Sequence, residues 1–210
     1  LPEGENDISA QFIYAEGLFA RSPVTTLTQT VDATSPTLNI AGPIGSTSGA
    51  FATAFTFSES VGGFTLADII VGNGTASNLS GSGTTYTATI TPTADGQVTV
   101  DVAAGAAQDA AGNLSTASNQ FSVISDTTSP SLTITGPAGP VSGAFVATFT
   151  FSEGVTGFEL SDIAVGNGSA SNLSGLGTTY TATITPTADG QVTVDVPANS
   201  AQDAAGNDNT

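Results

Sequence analysis

An internal repeat constrains this chain more than any other feature of its sequence. Residues 83–102 read GTTYTATITPTADGQVTVDV, and residues 177–196 read the same. Asp32 matches Asp126 at the same offset of 94 positions (126 − 32), and no insertion breaks the register after Asp32. A repeat this long is a whole domain, because solenoid repeats are only about 20–45 residues long. The predicted units are an extension of residues 1–31, a first domain of residues 32–125 and a second domain of residues 126–210.

Apolar and polar residues alternate within the first repeat, as in half-buried β-strands. Residues 50–58 place Phe51, Phe55 and Phe57 on one face, and Gly, Pro, Asn and Asp bound the alternating runs. The predicted strands are A (37–40), B (50–58), C (64–71), D (76–79), E (84–91), F (97–102) and G (119–124). About seven short strands per repeat are typical of an immunoglobulin-like sandwich. The predicted fold class is therefore all-β: two tandem immunoglobulin-like β-sandwiches of about seven strands each, preceded by an N-terminal extended strand segment.

The charge balance excludes several classes of function. The 210 residues include 18 acids and a single Lys or Arg, with a formal net charge of −17 and no His or Cys. Nucleic-acid binding needs cationic side chains that displace counterions from phosphates, so no nucleic-acid partner is expected. Most catalytic triads and soft-metal sites need His or Cys, so no enzyme is expected. The sequence contains no apolar run long enough to span a bilayer, and no membrane insertion is expected.

Several motifs carry a family resemblance. They are FTFSESVGGFTLADIIVGNGTASNLSG from residue 55, TYTATITPTADGQVTVDV from residue 85, AQDAAGN from residue 107 and DTTSP from residue 126. These segments resemble the bacterial Ig-like repeats of large surface adhesins and biofilm-associated proteins. The resemblance covers residues 32–210 and leaves out residues 1–22. It implies an extracellular or cell-surface stalk whose partners are adjacent Ig-like repeats; the Cys pair and Trp of antibody domains are missing.

The two ends of the sequence are offset relative to the repeat. Thr210 matches Thr116 (210 − 94), so the second copy stops before a counterpart of strand G, whereas residues 23–31 read PVTTLTQTV where a preceding strand G would lie. One interpretation is a window from a longer repeat array. The other is a self-polymerising subunit, in which the N-terminal strand of one copy completes the second domain of the next, head to tail. Residues 8–14 also alternate and could form a second inserted strand. The candidate donor-strand residues are Val24, Leu27, Gln29, Val31, Ile8, Phe12 and Tyr14.

Carboxylates recur at equivalent positions of the two copies. In a sandwich, the B–C and F–G loops lie at the end where strand A enters, so acids of these loops should converge there with those of the linker. Calcium takes 6–8 oxygen ligands in irregular geometry and is the predicted structural cofactor, with no other cofactor expected. The alternative is that each Asp only stabilises its own turn. The candidate calcium ligands are Asp32, Glu59, Asp68, Asp109 and Asn113 for the first domain, and Asp95, Asp126, Glu153, Asp162, Asp203 and Asn207 for the second.

A glycan- or receptor-binding adhesin domain is the remaining alternative. Such binding sites commonly present exposed aromatic side chains or long loops, whereas Trp is absent, Tyr occurs three times and the predicted loops are short. The sequence therefore favours a non-enzymatic structural or adhesive module of an extracellular bacterial surface fibre. It does not identify a host or surface ligand.

Overall fold

The computed structural model describes residues 4–9 and 26–210, with side chains from residue 27 onward. Its regular structure is almost entirely β, and the described part of the chain has no helix long and apolar enough to cross a membrane. The strands of the first domain are β3 (Leu38–Ala41), β4 (Ser46–Thr47), β5 (Phe51–Val61), β6 (Ile69–Gly72), β7 (Gly74–Pro92), β8 (Gly96–Val102) and β9 (Phe121–Ser125).

The first domain is a sandwich of two sheets with strand orders β3-β5-β7 and β4-β9-β8-β6. The inward faces alternate as predicted: Phe55 and Phe57 of β5, and Val98 and Val100 of β8, are at most 2% exposed. Phe64 packs edge-on against Tyr86, whose hydroxyl donates to the backbone carbonyl of Val61 at 3.2 Å in the interior. The core therefore lies between the sheets, which confirms the predicted all-β sandwich.

Three predicted strands, C, D and E, differ from the structure. Strand C was expected over residues 64–71, but a 3-10 helix spans Leu66–Asp68 and β6 begins only at Ile69. The carboxylate of Asp68 accepts hydrogen bonds from the backbone N–H and hydroxyl of Thr65, both at 2.8 Å. This local cap stabilises the 3-10 helix relative to the extended strand that the alternation predicts.

Strands D and E were predicted as separate elements, whereas β7 is continuous from Gly74 to Pro92. Side-chain hydrogen bonds nevertheless join Ser77 to the carbonyl of Thr89 and Ser80 to Thr87. Residues twelve apart in a straight strand would be about 40 Å apart, so β7 must double back on itself. Gly81 and Gly83 have positive φ at this bend, as a tight reversal requires.

The second domain repeats this plan with fewer strands. They are β10 (Leu132–Thr135), β11 (Phe145–Val155), β12 (Ala164–Gly166), β13 (Gly168–Pro186) and β14 (Thr193–Asp195), with a 3-10 helix at Leu160–Asp162. Its sheets have orders β10-β11-β13 and β12-β14. No described residue of this domain forms a counterpart of β4 or β9, so its second sheet has two strands where the first domain has four.

The N-terminal extension contributes a two-stranded antiparallel sheet. Strand β1 (Gly4–Ser9) pairs with β2 (Thr26–Val31), with Ile8 opposite Leu27. Leu27 is 62% exposed, which leaves its apolar surface largely in water. An isolated two-stranded sheet is marginally stable in water.

Candidate functional sites

A carboxylate cluster lies at one end of each domain. In the second domain, Asp126 of the linker, Glu153 of β11 and Asp203 each offer an oxygen, and these oxygens lie within 4.8 Å of one another. The first domain repeats the arrangement with the equivalent residues, which are Asp32, Glu59 and Asp109. The structure thus brings together three of the predicted calcium ligands of each domain.

A tight turn positions the most buried acid of each cluster. One oxygen of Asp203 accepts the backbone N–H groups of Ala205 and Asn207 at 2.8 Å, and the other accepts the Asn207 side-chain amide at 2.7 Å. The same amide donates to the backbone carbonyl of Asp126 at 2.9 Å, which holds the linker against the turn. Asn113 makes the equivalent contacts with Asp109 and with the carbonyl of Asp32. The two predicted Asn ligands therefore buttress the clusters through their amide nitrogens.

The described residues contain no Lys or Arg that could neutralise the second cluster. Burial raises the pKa of Glu153, and the neighbouring charges of Asp126 and Asp203 raise it further. Burial alone would also raise the pKa of Asp203, but the hydrogen bonds from Asn207 and the turn backbone outweigh it and lower that pKa. Asp203 therefore stays ionised, and its charge disfavours ionisation of Glu153. A cation at this place would relieve the repulsion, and three carboxylates suit a hard divalent cation.

The other predicted ligands lie outside these clusters. Asp68 and Asp162 cap the 3-10 helices, where Asp162 accepts the Glu159 N–H at 2.7 Å. Asp95 belongs to the junction instead: its carboxylate accepts the N–H and hydroxyl of Thr127 and the hydroxyl of Thr128, all at 2.8 Å. These three hydrogen bonds lower the pKa of Asp95. Its oxygens thus hold the linker to the first domain.

A groove of about 520 Å³ opens into the second domain beside β14. Its walls include Ile134, Phe145, Ala147, Val192 and Val194. Ala147 is 2% exposed, whereas the other four side chains are only partly buried. The core of this domain is therefore open along one side.

The corresponding place in the first domain is filled by β9. Val123 of β9 pairs with Val98 and is 5% exposed, and Phe121 packs against Phe51 with ring centroids 6.2 Å apart. With β9 present, Val98 and Val100 are fully buried. The place that the groove takes in the second domain is thus part of the core in the first, where β9 of the same domain covers it.

The candidate donor-strand residues are only partly within the described chain. Leu27, Gln29 and Val31 lie in β2 and Ile8 in β1, while Val24, Phe12 and Tyr14 lie outside the described residues. Within the described chain, β2 pairs with β1.

Sequence reasoning missed two buried polar groups in the first domain. The hydroxyls of Thr53 and Ser125 are buried and have no hydrogen-bond partner in the protein. The signal was available, because position 53 is Thr in the first repeat and Ala147 in the second (53 + 94). It also missed that Thr65 and Asp68 match the T-x-x-D spacing of a helix cap.

Comparison with curated proteins and with solved structures gives little information about this chain. No curated protein matches the chain. Among solved structures, the chain resembles invasin, a bacterial integrin-binding protein, with a TM-score of 0.44 and 17% sequence identity. The alignment covers 92% of this chain and 42% of the invasin chain, so the chain spans less than half of that protein's length.

Both repeats match the bacterial Ig-like domain family, over residues 32–124 and 126–210. The matches extend over most of the chain and agree with the two sandwiches and with the motifs of the repeat. The chain therefore belongs to the bacterial Ig-like domain family.

Proposed function

We propose that this chain is a non-enzymatic structural and adhesive module of an extracellular bacterial surface fibre, acting as a stiff stalk of tandem domains. The observation that carries the proposal is the junction between the two domains, where Asp95 binds Thr127 and Thr128 through three hydrogen bonds. The backbone N–H of Asp126 also donates to the carbonyl of Thr47 at 2.9 Å. These contacts fix the linker to the first domain, and the side-chain amide of Asn207, which donates to the carbonyl of Asp126 at 2.9 Å, fixes it to the second. A linker held by both domains resists bending, which is the property that a stalk needs.

Single-molecule force extension of the 210-residue chain tests this proposal. We expect two unfolding events, each releasing roughly 300 Å of chain, since about 90 residues extend by about 3.3–3.6 Å each. Small-angle scattering should give an extended particle with one preferred domain arrangement. A freely jointed pair of domains would contradict the stalk, and specific binding on a glycan array would favour the glycan-binding alternative.

A self-polymerising filament subunit is the second candidate function, and the open groove of the second domain favours it. A strand from a neighbouring copy can hydrogen-bond to β14 and bury apolar side chains against Val192 and Val194, as β9 does in the first domain. Such contacts are head to tail and build open filaments. Size-exclusion chromatography and electron microscopy of the pure chain test this candidate, and a strict monomer at all concentrations would exclude it.

Structural calcium at the two carboxylate clusters is part of the proposal. Asp126, Glu153 and Asp203 supply oxygen ligands beside the linker, so an ion there would join the linker to the second domain and rigidify the junction. A cation that binds only the folded state raises the melting temperature by mass action. Equal melting temperatures in EDTA and in millimolar calcium would refute the calcium proposal and leave the stalk function intact.

A further inference from the structure

The loop between β7 and β8, which carries Asp95, is held by the side chain of Asn73. The side-chain amide of Asn73 donates to the carbonyl of Ala94 at 2.9 Å, and its side-chain oxygen accepts the hydroxyl of Thr93 at 3.1 Å. Its backbone carbonyl also accepts the Thr93 N–H at 3.2 Å. On the other side of Asp95, a Cβ at Gly96 would be 3.9 Å from the same amide nitrogen. Asp95 therefore lies between two residues that adjoin Asn73.

Asn is the residue type that suits this place. The φ angle of Asn73 is +56°, in the left-handed region that Asn tolerates better than most residues with a Cβ. Its neutral side chain supplies both a donor and an acceptor, and the loop offers the carbonyl of Ala94 and the hydroxyl of Thr93. Gly would adopt the same backbone conformation but has no side chain to hold the loop, and Asp would lack the donor.

The second repeat shows that these contacts form without a linker. Asn167, the counterpart of Asn73 (73 + 94), has a φ of +55°. It donates to the carbonyl of Ala188 at 3.0 Å and accepts the hydroxyl of Thr187 at 3.2 Å. Asp189, the counterpart of Asp95, is exposed and has no linker beside it within the described residues. The Asn side chain therefore orders the loop before any linker binds to the Asp.

We propose that Asn73 is a positioning residue for the junction, because it orders the loop that presents the Asp95 carboxylate to Thr127 and Thr128. The inference rests on the stalk function proposed above and names the residue that makes its junction contact persistent. An exposed carboxylate and exposed hydroxyls also hydrogen-bond to water, so their contact gives only a small net stabilisation. The contact therefore persists only where little conformational freedom is lost when it forms. Asn73 removes that freedom from the loop in advance.

Amide hydrogen exchange at Thr127, followed by NMR on the 210-residue chain, tests the inference. The Thr127 N–H donates to Asp95 at 2.8 Å, so its exchange reports how often the linker leaves the loop. Asn73→Gly keeps the left-handed backbone and removes both side-chain hydrogen bonds. We expect the protection of the Thr127 amide to fall about fivefold, which is the effect of one net hydrogen bond. The domain arrangement in small-angle scattering should broaden with it.

Asn167→Gly is the matched control, because it removes the equivalent hydrogen bonds from the loop of the second domain. It should lower the melting temperature of its own domain as Asn73→Gly does, but leave the protection of Thr127 unchanged. Asn73→Asp is a second variant at the site itself. It keeps the acceptor for Thr93 and replaces the amide donor by a charged oxygen beside the carbonyl of Ala94, so it should weaken the protection of Thr127 at least as much.

The outcomes separate this inference from the stalk function. Unchanged protection of Thr127 in the Asn73 variants, or an equal loss in the Asn167→Gly control, would overturn the inference and leave the stalk function in place. A wild-type chain with an unprotected Thr127 amide and freely jointed domains would overturn the stalk function and the inference with it. Asn73→Asp decides the comparison where Asn73→Gly prevents folding of the first domain.

Discussion

Replacing Glu153 by Gln should stabilise the second domain in calcium-free buffer at neutral pH. The oxygens of Glu153, Asp126 and Asp203 lie within 4.8 Å of one another. At this distance each like-charge pair costs about 0.9 kcal/mol even at the dielectric constant of water. Gln keeps the shape and removes two such pairs, so we expect about 1–2 kcal/mol of stabilisation at low salt. For a domain of this size, 1 kcal/mol corresponds to roughly 4–8 °C in melting temperature.

The effect of Glu153→Gln should depend on pH with a defined sign. The pKa of Glu153 is raised above its ordinary value of 4.5, so the folded domain binds this proton more tightly than the unfolded chain does. The stability that follows from this tighter binding is fully present below pH 4.5 and is lost as pH rises through the raised pKa. The advantage of the Gln variant should therefore appear above that window and vanish below it.

Calorimetry, with hydrogen exchange over β11 to identify the second domain, measures this change. Asp195→Asn is the matched control, because Asp195 is an exposed acid of the same domain outside the cluster. An equal gain in the control would mean that only net charge matters. In calcium-free buffer, a lower melting temperature for the Glu153→Gln variant than for the wild type would refute the repulsion. In millimolar calcium the order should reverse if an ion binds, because the variant lacks one of the carboxylate ligands and would then be less stable than the wild type.

Three further changes have defined outcomes in the first domain and at the junction. Thr53→Val should raise the unfolding free energy of the first domain by about 1 kcal/mol in urea denaturation, because the buried hydroxyl has no partner in the protein. A lower unfolding free energy would mean that the hydroxyl has a hydrogen-bond partner. Tyr86→Phe should cost about 1 kcal/mol in the same assay, because it removes the hydrogen bond to Val61. Asp95→Ala should broaden the domain arrangement in small-angle scattering without changing either melting temperature. Since hydrogen bonds from the linker lower the pKa of Asp95 below 3.8, the wild-type junction should loosen only as pH falls through that lowered pKa.

The sequence predicts the sandwich because its signal is a periodic pattern over whole strands. Phe55, Phe57 and the Val residues of β8 alternate with polar residues, and a one-residue slip would turn all of them to solvent. Strand C was wrong because a local hydrogen bond between Thr65 and Asp68 outweighs the alternation around it. Such caps depend on two residues, and periodicity does not detect them.

The candidate sites were predictable where loop topology alone decides them. The linker acid, the acid expected in the B–C loop and the F–G loop acid meet in each domain, as the order of strands in a sandwich requires. The structure places the second of these, Glu59 or Glu153, among the last residues of β5 or β11, next to the turn, rather than in a loop. Asp95 was expected to face the second cluster, but its hydrogen bonds are with Thr127 and Thr128. The sequence could not decide this, because hydroxyl donors in a linker compete with a metal ion for the same oxygens.

The groove shows how far a neighbouring strand determines structure when the sequence is unchanged. Residues 96–102 and 190–196 are identical, yet the first segment is the seven-residue strand β8 and the second contains only the three-residue strand β14. Strand propensity is the same in both, so the difference must come from the neighbour: β8 pairs with β9, and no described strand occupies that side of β14. Among the described residues, β14 pairs with β12 alone, whereas β8 pairs with both β6 and β9. Pairing on both sides, and not the propensity of the segment itself, therefore sets how far a strand extends.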